Sequence, residues 1–192
     1  MLRTAALAAC AWELPGFRSA AFDEHEQAGL CAHAAREGSV AALEWLRAKG
    51  CAWDGGTCSA AAGAGHLEVL QWARKHGCPW DHSTCTAAAG GGHLEVLQWA
   101  WGHGCGWNWT TCTAAARNGH LPALRWAREH GCAWHWETCD AAARNGQLSA
   151  LQWAHERGCP LPPWPHNSRC LRAVQGAGHV HVLLWFASLR DD

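Results

Sequence analysis

The amino-acid sequence predicts an all-α solenoid, in which short helix-turn-helix units stack side by side on short loops with little or no strand. Three observations carry that prediction. Cys51, Cys78, Cys105 and Cys132 follow one another at a constant 27-residue step. A second cysteine ladder (Cys31, Cys58, Cys85, Cys112, Cys139) and a tryptophan ladder (Trp45, Trp72, Trp99, Trp126, Trp153) keep the same 27-residue step. Each unit also holds one Ala-rich run and one amphipathic run, both too short to make a stable helix alone in water. A period between about 20 and 50 residues marks an array whose units bury their apolar faces only against one another.

The units run over about 24–50, 51–77, 78–104, 105–131, 132–158 and 159–192. The last opens on Cys159-Pro160-Leu161-Pro162-Pro163-Trp164-Pro165, a Pro-rich insertion, and the pattern resumes at Gly178-His179-Val180. Residues 1–23 stand outside the period. Cys10-Ala11-Trp12-Glu13 reads as a worn unit opening, so this segment is expected to be a degenerate N-terminal cap or partial repeat.

The unit from Cys51 to Gly77 shows the design in order. Asp54-Gly55-Gly56 reads as a turn. Thr57 is the expected N-cap, its hydroxyl accepting from an orphan backbone N–H. Cys58 to Gly63 is a short helix through Ala60, Ala61 and Ala62, and Gly65 interrupts it. Leu67 to Lys75 is a second helix, with Leu67 and Leu70 on one face and Val69 and Trp72 on the adjoining one. Gly77 ends it from the C′ position. Helix axes approach to about 8 Å only where the contact residues are small, which is the use of the Ala run. Trp72 and its copies fill the wider gaps.

Gly65-His66-Leu67-Glu68-Val69-Leu70 followed by Gly77-Cys78 resembles the second half of the ankyrin repeat, with Cys78 in the place of an Ala. Thr57, Ala61 and Ala62 resemble that family's Thr-Pro-Leu-His-x-Ala-Ala opening, with Cys58 in the Pro place. The resemblance covers about Glu24 to Leu189 and implies an ankyrin-like solenoid that holds another protein. It has departures. The unit is 27 residues long, against about 33 in the family. Trp72-Ala73-Arg74 replaces a late Leu-Leu pair. The missing length is assigned to the β-turn finger between units.

Composition narrows the function. With 15 Lys+Arg against 16 Asp+Glu, the chain offers no broad basic field for nucleic acid or anionic lipid. No run approaches the eighteen or so apolar residues of a membrane span, and the stretch from Met1 to Trp12 is too weak for a signal peptide. Twelve cysteines in phase with a repeat point to reduced thiols rather than a disulfide framework. A cytoplasmic or nuclear protein is expected, a monomer or part of a longer array.

The Cys and His ladders invite a metal-binding or redox-responsive alternative, through His76-Gly77-Cys78, His103-Gly104-Cys105 and His130-Gly131-Cys132. Like positions on stacked helices lie about 8–10 Å apart. That is too far for one shared zinc ion or for a disulfide, whose Cα atoms lie about 4.4–6.8 Å apart. A site mixing unlike positions stays open. The simpler expectation is buried thiols acting as small hydrophobes, with no metal and no cofactor. His66, His93, His120 and His179 follow the inter-helix Gly and are expected to bond backbone at the turn. Gly90-Gly91-Gly92-His93 follows an Ala helix and lacks the Lys-Ser/Thr of a phosphate loop. No nucleophile, base and orienting acid can be placed together, so no catalysis is expected.

Positions alike in every unit serve the stack, and positions that vary are released from it. The variable ones are Gly55-Gly56, His82-Ser83, Trp109-Thr110 and Trp136-Glu137, and, at the end of the first helix, Gly63-Ala64, Gly90-Gly91, Arg117-Asn118 and Arg144-Asn145. Trp and Arg are enriched at binding hot spots. The expected partner surface is therefore Trp101, Trp109, Thr110, Arg117, Asn118, Trp136, Glu137, Arg144 and Asn145, centred on residues 105–158. In the last unit Leu184 replaces Gln71 and Phe186 replaces Ala73. This apolar helix is expected to be covered by the Pro-rich insertion, by a partner or by further repeats.

Overall fold

The computed structural model describes residues 24–161 and 168–189, and in them twelve helices and no strand. The expected cap at 1–23 and residues 162–167 of the Pro-rich insertion lie outside the described residues. Each unit contributes two helices: α1 (Glu24–Arg36) and α2 (Val40–Ala48), α3 (Gly55–Gly63) and α4 (Leu67–Lys75), α5 (His82–Gly91) and α6 (Leu94–Gly102). Then come α7 (Trp109–Arg117) and α8 (Leu121–Glu129), α9 (Trp136–Arg144) and α10 (Leu148–Glu156), α11 (Ser168–Gly176) and α12 (Val180–Ser188). The odd-numbered helices form one layer and the even-numbered helices the other.

The two layers are held differently. Neighbouring odd-numbered helices from α1 to α9 pack along their length, whereas neighbouring even-numbered helices touch only sparsely. Side-chain size explains the contrast. Ala61, Ala62, Ala88, Ala89, Ala115, Ala116 and Ala142 are fully buried in the first layer, where small side chains let the backbones approach closely. Leu43, Leu70, Leu97, Leu124 and Leu151 point inward from the second helices and join the same continuous core. The repeated indoles Trp45, Trp72, Trp99 and Trp126 are half-buried spacers on the core's edge, and Trp153 is buried.

The first helices begin three residues earlier than Thr57 suggests. The N-caps are Asp54, Asp81, Asn108 and His135, all with extended backbone, and Asp54 accepts from the N–H of Gly56 at 2.9 Å. A carboxylate or amide caps better than the fourth residue's hydroxyl because it reaches the orphan N–H two residues on. Gly55 and Gly56 are thus helical, and Thr57 is left fully buried inside the first turn.

The turn between the two helices depends on glycine for two reasons. Gly65 has φ +81°, a left-handed conformation that glycine takes without strain. A Cβ there would also lie 2.5 Å from Nδ1 of His93 in the next unit. Gly77 has φ +83° but open space around it, so only the backbone conformation demands glycine there. His66 shows what the close approach is for: its Nε2 bonds the carbonyl of Arg36 in the preceding unit at 3.0 Å. The expected bond to backbone is therefore a tie between units.

The last helix keeps its apolar outer side. Leu184 is 66 % exposed and Val180 59 %, while Phe186 turns inward and is buried.

Candidate functional site

A line of hydroxyls runs through the first layer. Ser59 meets Thr84 at 3.5 Å, Thr86 meets Thr111 at 3.2 Å, and Thr113 meets Thr138 at 3.1 Å. Thr86 and Thr113 also donate to the carbonyl one turn back on their own helix, at 3.0 and 3.1 Å. In the fifth unit the hydroxyl gives way to Asp140, which is buried and pairs with Arg144 one turn later, Nε to Oδ2 at 2.9 Å. Asp140 lies beside the thiol of Cys170 on α11, which burial first and then this carboxylate push up to about 12.

A cleft of about 530 Å³ lies between α7 and α9. Thr113 and Arg117 line it from α7, and Trp136, Glu137, Asp140, Ala141 and Arg144 line it from α9, with Asn145 at the helix end. Trp136 is 36 % exposed, and Arg117 is open to solvent. A second hollow of about 680 Å³ lies on the same layer across α1, α3 and α5, floored by small residues such as Gly56, Ser59, Gly63 and Gly90. Positions 63, 90, 117 and 144 are equivalent. The layer therefore passes from a glycine floor to arginine walls along the array.

Five of the nine expected partner-surface residues meet at the cleft: Arg117, Trp136, Glu137, Arg144 and Asn145. The other four do work within the stack. Trp109 stacks on His135 at 4.3 Å. Thr110 meets Thr86 of the preceding unit at 3.0 Å. Asn118 donates to the Gly90 carbonyl at 2.7 Å. Trp101 lies in the second-helix layer, where Arg47, Arg74 and Arg128 of other units place a guanidinium 4.4, 4.3 and 4.9 Å over Trp53, Trp80 and Trp134. Trp101 makes the same contact as an indole, stacked on Trp107 at 5.4 Å and 23°. It remains 40 % exposed. Sequence reading missed Thr113 and Asp140. The one available signal was the lone carboxylate in the series Ser59, Thr86, Thr113, Asp140.

The cysteines do converge, at unlike positions. Cys58 acts on Cys78, Cys85 on Cys105, Cys112 on Cys132, and Cys139 on Cys159. In each pair this interaction raises one thiol and lowers its partner. Cys78, Cys85, Cys112 and Cys139 go up, and burial adds to the rise. Cys58, Cys105, Cys132 and Cys159 go down. All eight are buried and reduced. The histidines of the His-Gly-Cys triplets do not join them. His76, His103 and His130 each bond the carbonyl of Trp72, Trp99 or Trp126 at 2.8 Å and stack on that indole. Among the described residues no three of His, Cys, Asp and Glu converge on one point, and no helix is long and apolar enough to cross a membrane.

Compared with known proteins, the chain matches no family model and no curated protein.

Proposed function

We propose that this chain is an ankyrin-like protein-interaction scaffold without intrinsic catalysis, and that another protein docks on its first-helix layer at the α7–α9 cleft. The observation that carries the reading is the meeting of Trp136, Arg117 and Arg144 in one exposed recess on a rigidly stacked layer. Binding hot spots are enriched in Trp and Arg gathered in a pocket. A solenoid supplies an extended surface with no chemistry of its own. The resemblance of Gly65-His66-Leu67 and its copies to the ankyrin turn supports the same role. Near-neutral charge fits a protein partner better than nucleic acid or membrane, and the reduced thiols fit a cytoplasmic or nuclear setting.

The test is affinity capture compared between the natural chain, a Trp136→Ala/Arg117→Ala double variant and a Trp101→Ala variant. Both sites can be altered without touching the buried Asp140–Arg144 pair. Loss of a hot spot costs about 2 kcal/mol or more, roughly 30-fold in affinity. The double variant should lose its captured protein while circular dichroism stays unchanged, and Trp101→Ala should keep it. Equal capture by all three proteins refutes the cleft as the docking site.

A further inference from the structure

We infer that the partner docked at the α7–α9 cleft enters as an extended acidic segment of another protein, which continues from the cleft across the first-helix layer and ends on Arg36. This rests on reading the cleft as a docking site, and it adds the chemistry and the length of what is held there.

Positions 36, 63, 90, 117 and 144 are equivalent in five successive units and make one row across the layer. Arg117 and Arg144 line the cleft, and Arg36, Gly63 and Gly90 line the hollow of about 680 Å³ on α1, α3 and α5. The row thus has arginines at both ends and a glycine floor between them. The fold does not require those two glycines. Neither has a positive φ. A Cβ on Gly63 would rest 3.4 Å from Cβ of Ala87, and one on Gly90 3.4 Å from Cβ of Ala114, both ordinary contacts. Gly91 differs, because a Cβ there would lie 2.5 Å from the Gly63 carbonyl oxygen. Glycine is disfavoured against alanine in a helix. At positions 63 and 90 it keeps the hollow open.

Arg36 and Arg117 are exposed. Neither joins an ion pair among the described residues, whereas Arg144 is held by Asp140. Arg36 is the one charged residue lining the hollow. Glu137 keeps acidic groups away from the α9 side of the cleft, so a carboxylate is placed at Arg117, on α7. A carboxylate is the bidentate match for a guanidinium. Neighbouring helices stand about 8–10 Å apart, so the three steps from Arg117 to Arg36 cover about 24–30 Å. A strand advances about 3.3 Å per residue, which sets the two carboxylates about seven to nine residues apart. Nucleic acid fits the row poorly: a strand carries a charge every 3.4 Å or so, and the hollow answers with one cation.

Thr57 is a second, independent sign. Its hydroxyl is fully buried and has no hydrogen-bond partner. Its chain neighbour Gly56 and Ala32, which stands in the place of the missing partner, both line the hollow. A strand carbonyl seated over Ala32 supplies the acceptor.

The experiment selects randomised fourteen-residue peptides, displayed on ribosomes, against the immobilised full-length chain. The expected survivors carry two Asp or Glu residues about seven to nine positions apart. Labelled copies are then titrated by fluorescence polarisation. Arg36→Gln and Arg117→Gln should each weaken binding about 10-fold or more, as loss of a charge-assisted bond does. Gly63→Arg/Gly90→Arg copies the residue found at positions 117 and 144 and should abolish binding with circular dichroism unchanged. Thr57→Val should weaken binding about 3-fold or more. No enrichment, survivors without the acid pair, or binding that withstands Arg36→Gln overturns the inference, as does displacement of the peptides by single-stranded oligothymidine. If the survivors are then still lost with Trp136→Ala/Arg117→Ala, the cleft stands as a docking site and only the acidic strand falls. If they withstand that variant too, both fall. Should Gly63→Arg/Gly90→Arg lose its helical signal, Arg36→Gln, a change at an exposed side chain, decides in its place.

Discussion

Thr57 is the place where the hydroxyl line through the first layer breaks, and replacing it tests what that line contributes. Its side chain is fully buried, and its Oγ1 has no hydrogen-bond partner. The equivalent Thr84, Thr111 and Thr138 are met by Ser59, Thr86 and Thr113, at 3.5, 3.2 and 3.1 Å. The residue that should meet Thr57 is Ala32. Thr→Val keeps the shape and removes only the hydroxyl. A buried hydroxyl without a partner costs about 1–3 kcal/mol, while a made hydrogen bond contributes a net 0.5–1.5 or so. Thr57→Val should therefore stabilise the chain by about 1 kcal/mol or more, and Thr111→Val should destabilise it by about 1 kcal/mol. Ala32→Ser offers the missing partner but gives up about 0.5 kcal/mol of helix propensity, so its gain should be smaller. Urea unfolding followed by circular dichroism reads all three as shifts in midpoint at constant slope. A Thr57→Val midpoint that falls as far as that of Thr111→Val refutes the reasoning.

Three further outcomes follow from contacts described above. Trp101→Arg restores the guanidinium used by neighbouring units and should leave stability nearly unchanged, whereas Trp101→Ala loses an aromatic pair worth about 0.5–1.5 kcal/mol beyond its buried area; thermal unfolding compares them. Gly77→Ala meets only the left-handed backbone penalty of about 1–2 kcal/mol, and Gly65→Ala adds a clash with the His93 ring; equal urea midpoints for the two would contradict the inter-unit contact. The hydroxyl of Ser83 first, then its N–H, holds the Asp81 carboxyl below the usual carboxylate range. Its folded value being depressed, the stabilisation is present above the unfolded value of about 3.9 and is lost as pH falls through the folded one. Asp81→Asn, the residue found at position 108, should flatten that part of the acid limb in unfolding midpoints measured against pH.

Much of the architecture was legible because the repeat writes each helix several times. Gly65 and Gly77 mark the helix ends, the Ala rows mark the close layer, and the Leu ladder marks the inward face. The N-cap was misplaced at Thr57 because a Gly-Gly pair reads as a turn, yet Asp54 recruits both glycines into the helix. Where the varying residues gather was only partly legible. Arg117, Trp136 and Arg144 line one cleft, whereas Trp101 and Asn118, which vary too, contact Trp107 and the Gly90 carbonyl instead. The thiol pairs were hidden because ladders compare like with like, whereas Cys58 acts on Cys78 only after the chain has folded through two helices.

The unequal spacing of the two layers has a mechanical consequence. Close packing of small side chains along α1, α3, α5, α7 and α9 resists compression and stretching alike, so it acts as an inextensible seam. The even-numbered helices, spaced by half-buried indoles, can spread or close like the leaves of a fan about that seam at little cost in contact. Bending of the array should therefore be strongly directional, soft where the tryptophans slide and stiff where the alanines touch.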